Sequence, residues 1–122
     1  MRAGNGAARA AQLARAKERV LRLASVATIT SGDFEWDAEK AAANLAKHGV
    51  AFEEAVTVFL DLDYLLVGDA VASERFVALG MSRKARVLFV VHCERGEKLR
   101  IISARRATRR ERETYERRRD SD

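Results

Sequence analysis

The residues best suited to act on another molecule lie in one stretch from Leu99 to Glu111, where Arg100, Arg105, Arg106, Arg109 and Arg110 crowd a short run of chain. Guanidinium stays charged at physiological pH and grips oxyanions through two parallel hydrogen bonds. Thr108 followed three residues later by Glu111 is the capping-box pattern that opens a helix, and a helix N-terminus offers free N–H groups with a partial positive charge. Arginines beside such a terminus make a place for phosphate. The plainer alternative is a solvated basic helix, because Arg109, Arg110 and Arg112 repeat as a helix surface does. Proton transfer near neutrality would fall to His92 and His48, the two histidines of the chain. His48 sits in Lys47-His48-Gly49 and fits a helix C-terminal cap equally well. Arg75, the sole arginine of an acidic region, is a catalytic cation or an ion-pair partner, and Tyr115 is spaced to reach the same cleft or to pack in the core. Adjacent His92 and Cys93 have no companion CxxC or HxxxH, so neither a metal nor a cofactor is expected.

The elements that would position these groups follow from pattern. Residues 99–102 are apolar and β-branched enough for a strand, which makes Arg105 and Arg106 the join between strand and helix. Along that strand Leu99 and Ile101 point one way and Arg100 and Ile102 the other, so Arg100 lies at the sheet rim or is paired. Upstream, residues 34–36 read as a short strand, Asp37 as the N-cap of a helix, and Gly49 as the residue that stops it. A second helix carries Phe52, Ala55, Val56 and Phe59 at the spacing of a buried stripe, with Ala51 a poor cap. Strand candidates then fall at 64–67, 75–79, 86–93 and 98–103, and the wholly apolar run 87–91 is expected to be central. The predicted fold is α+β: an antiparallel sheet of about four strands, two N-terminal helices and one C-terminal helix.

Charge is distributed unevenly over the 122 residues. Residues 1–32 carry six bases and one acid, residues 33–81 three bases and ten acids, and residues 82–122 fourteen bases and seven acids. The region from residue 33 onward is therefore neutral overall and bipolar, with one pole suited to a polyanion such as RNA or DNA. No apolar run is long enough to span or anchor in a membrane. The single Cys93 has no disulfide partner within the chain, which points to a reducing compartment, the cytoplasm. Residues 1–32, rich in Ala and Arg, are expected to be a flexible or loosely helical extension, or the product of a start assigned upstream of the true one. Residues 33–122 form the predicted domain.

Several motifs carry a resemblance. Phe34-Glu35-Trp36-Asp37, the run through Lys40, Asn44 and Lys47-His48-Gly49-Val50, Phe52-Glu53-Glu54-Ala55, Arg75-Phe76, Val90-Val91-His92 and Arg100 through Thr108 to Tyr115-Glu116 recur in the order and spacing of the BrnT toxins. The resemblance covers residues 33–118. The chain departs from that pattern at Ala51, at Asp61-Leu62 and in a short link at 69–73. It implies a RelE-like fold, a ribonuclease that halts translation in bacteria, and neutralisation by a BrnA-type ribbon-helix-helix antitoxin in a hetero-oligomer.

Under that resemblance the residues acquire roles. RNA supplies its own nucleophile, the 2′-hydroxyl, so cleavage needs a proton acceptor, a cation for the developing phosphorane and an acid for the leaving oxygen, and no metal. Arg105, Arg100 and Arg75 are the expected cations, His92 and His48 the candidate proton carriers, and Arg106, Arg109 and Tyr115 the expected RNA contacts. A different class of function uses the same basic face: a nucleic-acid or antitoxin-binding module that cleaves nothing.

Overall fold

A computed structural model describes residues 28–68 and 74–121; the expected extension up to residue 27 lies outside the described residues. The chain runs β1 (Thr28–Ser31), β2 (Phe34–Asp37), α1 (Ala38–His48), α2 (Phe52–Ala55) continued by a 3-10 turn (Val56–Leu60), β3 (Leu65–Gly68), β4 (Arg75–Met81), β5 (Val87–Arg95), β6 (Lys98–Arg106) and α3 (Arg109–Asp120).

Local chemistry sets the helix ends where expected. Asp37 Oδ1 accepts the N–H groups of Glu39 and Lys40 at 2.8 and 3.2 Å, and Gly49, at φ 70°, donates its N–H to the Leu45 carbonyl. The second helix differs from the expected stripe. It has no side-chain cap at Ala51, runs one turn and tightens into a 3-10 segment. Three residues per turn bring Phe52, Ala55 and Val58 to the fully buried positions, while Val56 and Phe59 are half-buried.

The sheet has six strands in the order β1-β2-β6-β5-β4-β3, rather than about four, and it is mixed. Every neighbouring pair is antiparallel except β2–β6, which run parallel with Phe34 beside Leu99 and Glu35 beside Arg100. The hairpin of β1 and β2, turned at Gly32 (φ 58°), adds the two strands beyond β6. β1 thus falls within the segment that composition alone sets apart.

One sheet face is covered by α1, α2 and the 3-10 segment. Trp36, Val50, Phe52, Ala55, Val58, Leu88, Val90 and Ile101 form the core there. Asn44, buried on α1, donates from Nδ2 to the carbonyls of Val50 and Ala104 and accepts the Ala104 N–H. The β2–β6 ladder is short, pairing residues 34–35 with 99–100, so Asn44 supplies at Ala104 the partners that a neighbouring strand would otherwise provide. Gly80 is needed for close approach: a Cβ there would lie 2.8 Å from Tyr64 Cβ and 2.9 Å from Val58 Cγ1. The opposite face is covered at one end by α3, whose Tyr115 packs with Leu79 and Val87. The other end of that face is open.

Candidate functional site

A bulge determines which side chains reach the open face. Val91 pairs with Ser103 and His92 with Ile101, so β6 carries Ile102 as an extra residue. In a regular strand Arg100 and Arg105 would point to opposite faces, being an odd number of residues apart. The extra residue cancels that alternation. Arg100 lies in a transverse row with Cys93 and Arg75, and Arg105 in a row with Phe89 and Leu79, both on the face away from Trp36.

The first row borders a shallow depression lined by Lys40, Arg75, Arg95 and Arg100, with Glu74 as its one acid and Cys93 and Ile102 also lining it. Arg100 is oriented by an ion pair to Glu35 across the parallel ladder. Arg75 is exposed and makes no ion pair among the described residues. Two strand spacings separate Arg75 from Arg100 in the backbone, about 10 Å.

Arg105 is held more firmly. Its two terminal nitrogens donate to the two oxygens of Glu111 at 2.8 and 3.0 Å, and its guanidinium lies 3.9 Å from the centroid of the Phe89 ring. Glu111 closes the capping box as expected: its Oε1 accepts the Thr108 N–H, and Thr108 Oγ1 accepts the Glu111 N–H. Arg105 holds the Glu111 carboxyl below the usual range; burial opposes this, and Thr108 adds to it. Sequence reasoning identified Glu111 as a cap and missed it as the partner of Arg105. Its signal was its place in the capping box, six residues after that arginine. Arg106 is exposed, and Arg109 is spanned by Glu113 one helical turn on.

The structure does not bring the histidines to this face. His92 lines up with Phe76 and Ile101 on the core side, is 3% exposed, and packs its ring 5.0 Å from Phe59. Burial pushes its pKa down, against a weaker opposing pull from the Val90 carbonyl at 3.4 Å. His48 occupies the last turn of α1 beside Gly49, the capping position expected of it. Tyr115 packs in the core rather than in the depression: it is 1% exposed and its hydroxyl donates to Asp61 Oδ2 at 2.6 Å. Asp61 also accepts the N–H groups of Met81 and Asp63. Burial pushes the Asp61 carboxyl up, but these three donors prevail and leave it below its ordinary value. Burial and then Asp61 push the Tyr115 hydroxyl up to about 12.

A buried carboxylate, Glu54, gave no signal in sequence beside its neighbour Glu53. It is 2% exposed, accepts from Arg86 and from Ser82 Oγ, and Arg86 also donates to the Gly49 carbonyl. Arg86 is the main cause of its lowered pKa, overcoming burial. This network joins α2 to the β4–β5 turn and lies on the core side, apart from the open face. Among the described residues no cluster of His, Cys, Asp or Glu is arranged to hold a metal, and no helix is long and apolar enough to cross a membrane.

Helices α1 and α2 cover one side of the mixed sheet, while α3 and the arginines Arg75, Arg100 and Arg105 share the other. The model of the family described as "Ribonuclease toxin, BrnT, of type II toxin-antitoxin system" matches residues 36–111, and the chain belongs to that family. The 1.1 Å crystal structure of the Brucella abortus ribonuclease toxin BrnT is similar, with a TM-score of 0.51 and 26% sequence identity over 61% of this chain and 94% of that one. No curated protein matches the sequence.

Proposed function

We propose that this chain cleaves RNA on its open sheet face without a metal, that the cleavage halts translation in the cytoplasm, and that a ribbon-helix-helix antitoxin of the BrnA type neutralises it. The observation that carries the reading is the placement of Arg75, Arg100 and Arg105 on one face by the bulge in β6. Phosphate would enter the depression, where Lys40 and Arg95 add charge to Arg75 and Arg100. Arg100 and Arg105 are each fixed by a carboxylate, so they meet a developing phosphorane with little reorganisation.

The proton acceptor comes from the same pairs. Glu35 and Glu111 are the carboxylates bound to those arginines, and either has a lone pair left to receive the 2′-hydroxyl proton; as the 2′-oxygen bonds to phosphorus the P–O5′ bond breaks, and the leaving 5′-oxygen takes its proton from solvent water. His92 is left as a packing residue and His48 as a cap. Arg109, in the first turn of α3, extends the basic surface for RNA contacts, whereas Arg106 shares a row with Leu88 and Gly80 on the helix-covered side and is left out of the RNA surface.

The test is incubation of labelled RNA with the purified chain in EDTA, beside Arg105→Ala and Arg75→Ala. Cleavage by the parent, reduced about a hundredfold or more in each variant with a smaller loss in binding, is the expected result. RNA that stays intact but is retained by the protein would replace this reading with that of a binding module.

A further inference from the structure

The sheet has two free edges, and they differ in chemistry. β1 at one edge reads Thr28-Ile29-Thr30-Ser31 and shows one apolar side chain, Ile29, at 39% exposure. β3 at the other reads Leu65-Leu66-Val67-Gly68, with Leu66 at 55% and Val67 at 49% exposure. Just before it, Leu60 and Leu62 are 80% and 97% exposed. β3 pairs only with β4, so among the described residues nothing meets its outer N–H and C=O groups. Protected edges carry lysine, proline or a bulge; this one has none of them in the strand.

From this we infer that the β3 edge is the docking site for an extended segment of the antitoxin, which adds a strand to the sheet and alternates apolar side chains with lysine or arginine. The inference rests on membership of a toxin–antitoxin family, which implies such a partner. Backbone pairing supplies the register, and Leu66 and Val67 point to opposite faces to receive apolar side chains from the incoming strand. Charge selects the rest. Between Lys47 and Arg75 the chain has no lysine or arginine, and of its described acids Glu54 is spent on Arg86 while Glu53 and Glu74 are exposed, Glu74 two residues before the Phe76 that pairs with Gly68. A second copy would bring the same acids and no lysine or arginine to balance them, whereas a basic segment is attracted. The site lies at the sheet edge and uses none of the arginines assigned to RNA.

The probe is the protein encoded by the reading frame adjacent to this one, co-expressed with the chain. In the complex, amide exchange across residues 65–68 slows at least about tenfold relative to the free chain. Leu66→Lys, which installs a common edge-protecting residue, weakens the complex about tenfold or more while RNA cleavage by the free chain stays unchanged. A complex whose protection falls on the open face or α3, with β3 exchanging as before, would overturn the inference and leave the antitoxin reading standing. No complex at all would overturn both. A free chain that sediments as a dimer and becomes a monomer with Leu66→Lys would assign the edge to a second copy instead.

Discussion

Arg105 and Glu111 show how one pair serves both folding and chemistry. The carboxylate satisfies the Thr108 N–H, fixes the guanidinium over Phe89 and stays ionised. Glu111→Gln keeps a capping-box side chain but removes the charge, so stability should change by no more than about 1 kcal/mol. If Glu111 is the base, kcat for RNA cleavage falls about a hundredfold or more with KM little changed. Equal kcat in parent and variant would assign the proton to Glu35. His92 makes a prediction of the opposite kind. Its folded pKa lies below the ordinary 6.5, because the buried ring resists charging. The unfolded chain therefore binds the proton first as pH falls, and stability present above pH 6.5 declines below it. Urea midpoints measured from pH 7.5 to 5 should show that slope in the parent and lose it in His92→Phe. A slope that persists would clear His92 and point to another titrating group.

At the scale of elements, α3 depends on a single plug. It is charged on nearly every side and buries only Tyr115, whose hydroxyl reaches Asp61. Tyr115→Phe should cost about 1–3 kcal/mol, since it removes a hydrogen bond to a partly buried carboxylate. The raised hydroxyl pKa gives the same contact an alkaline signature. A neutral Tyr115 stabilises the fold below pH 10 and that contribution is lost as pH rises from 10 to about 12; Tyr115→Phe should flatten the stability profile there. Asn44 does for α1 what Tyr115 does for α3. Asn44→Leu leaves the Ala104 N–H and C=O without partners in the core and should cost about 2–4 kcal/mol by chemical denaturation. A loss below 1 kcal/mol would mean that water or a shifted backbone replaces the amide.

Across the whole molecule, charge and fold separate two surfaces. The basic pole meets the open face, while the stretch between Lys47 and Arg75, which contains β3, has no lysine or arginine. RNA binding should therefore weaken steeply with salt, and the slope of log K against log salt should fall by about one in Arg75→Ala.

Local features were legible in the chain: Asp37 as cap, Gly49 as stop, the Thr108–Glu111 box and the strands from 75 onward each depend on residues a few positions apart. The family, too, was legible, because its motifs keep order and spacing. Tertiary structure alone decided the parallel pairing of β2 with β6, whose partners are 65 positions apart, and the role of β1, which has no core pattern of its own. It also decided the candidate site. Periodicity assigns Arg100 and Arg105 to opposite faces and leaves His92 near them in sequence; the extra residue at Ile102 and the burial of the histidine reverse both. A bulge arises from how two strands register against a shared core, and pairing of that kind is a property of the assembled sheet rather than of either strand.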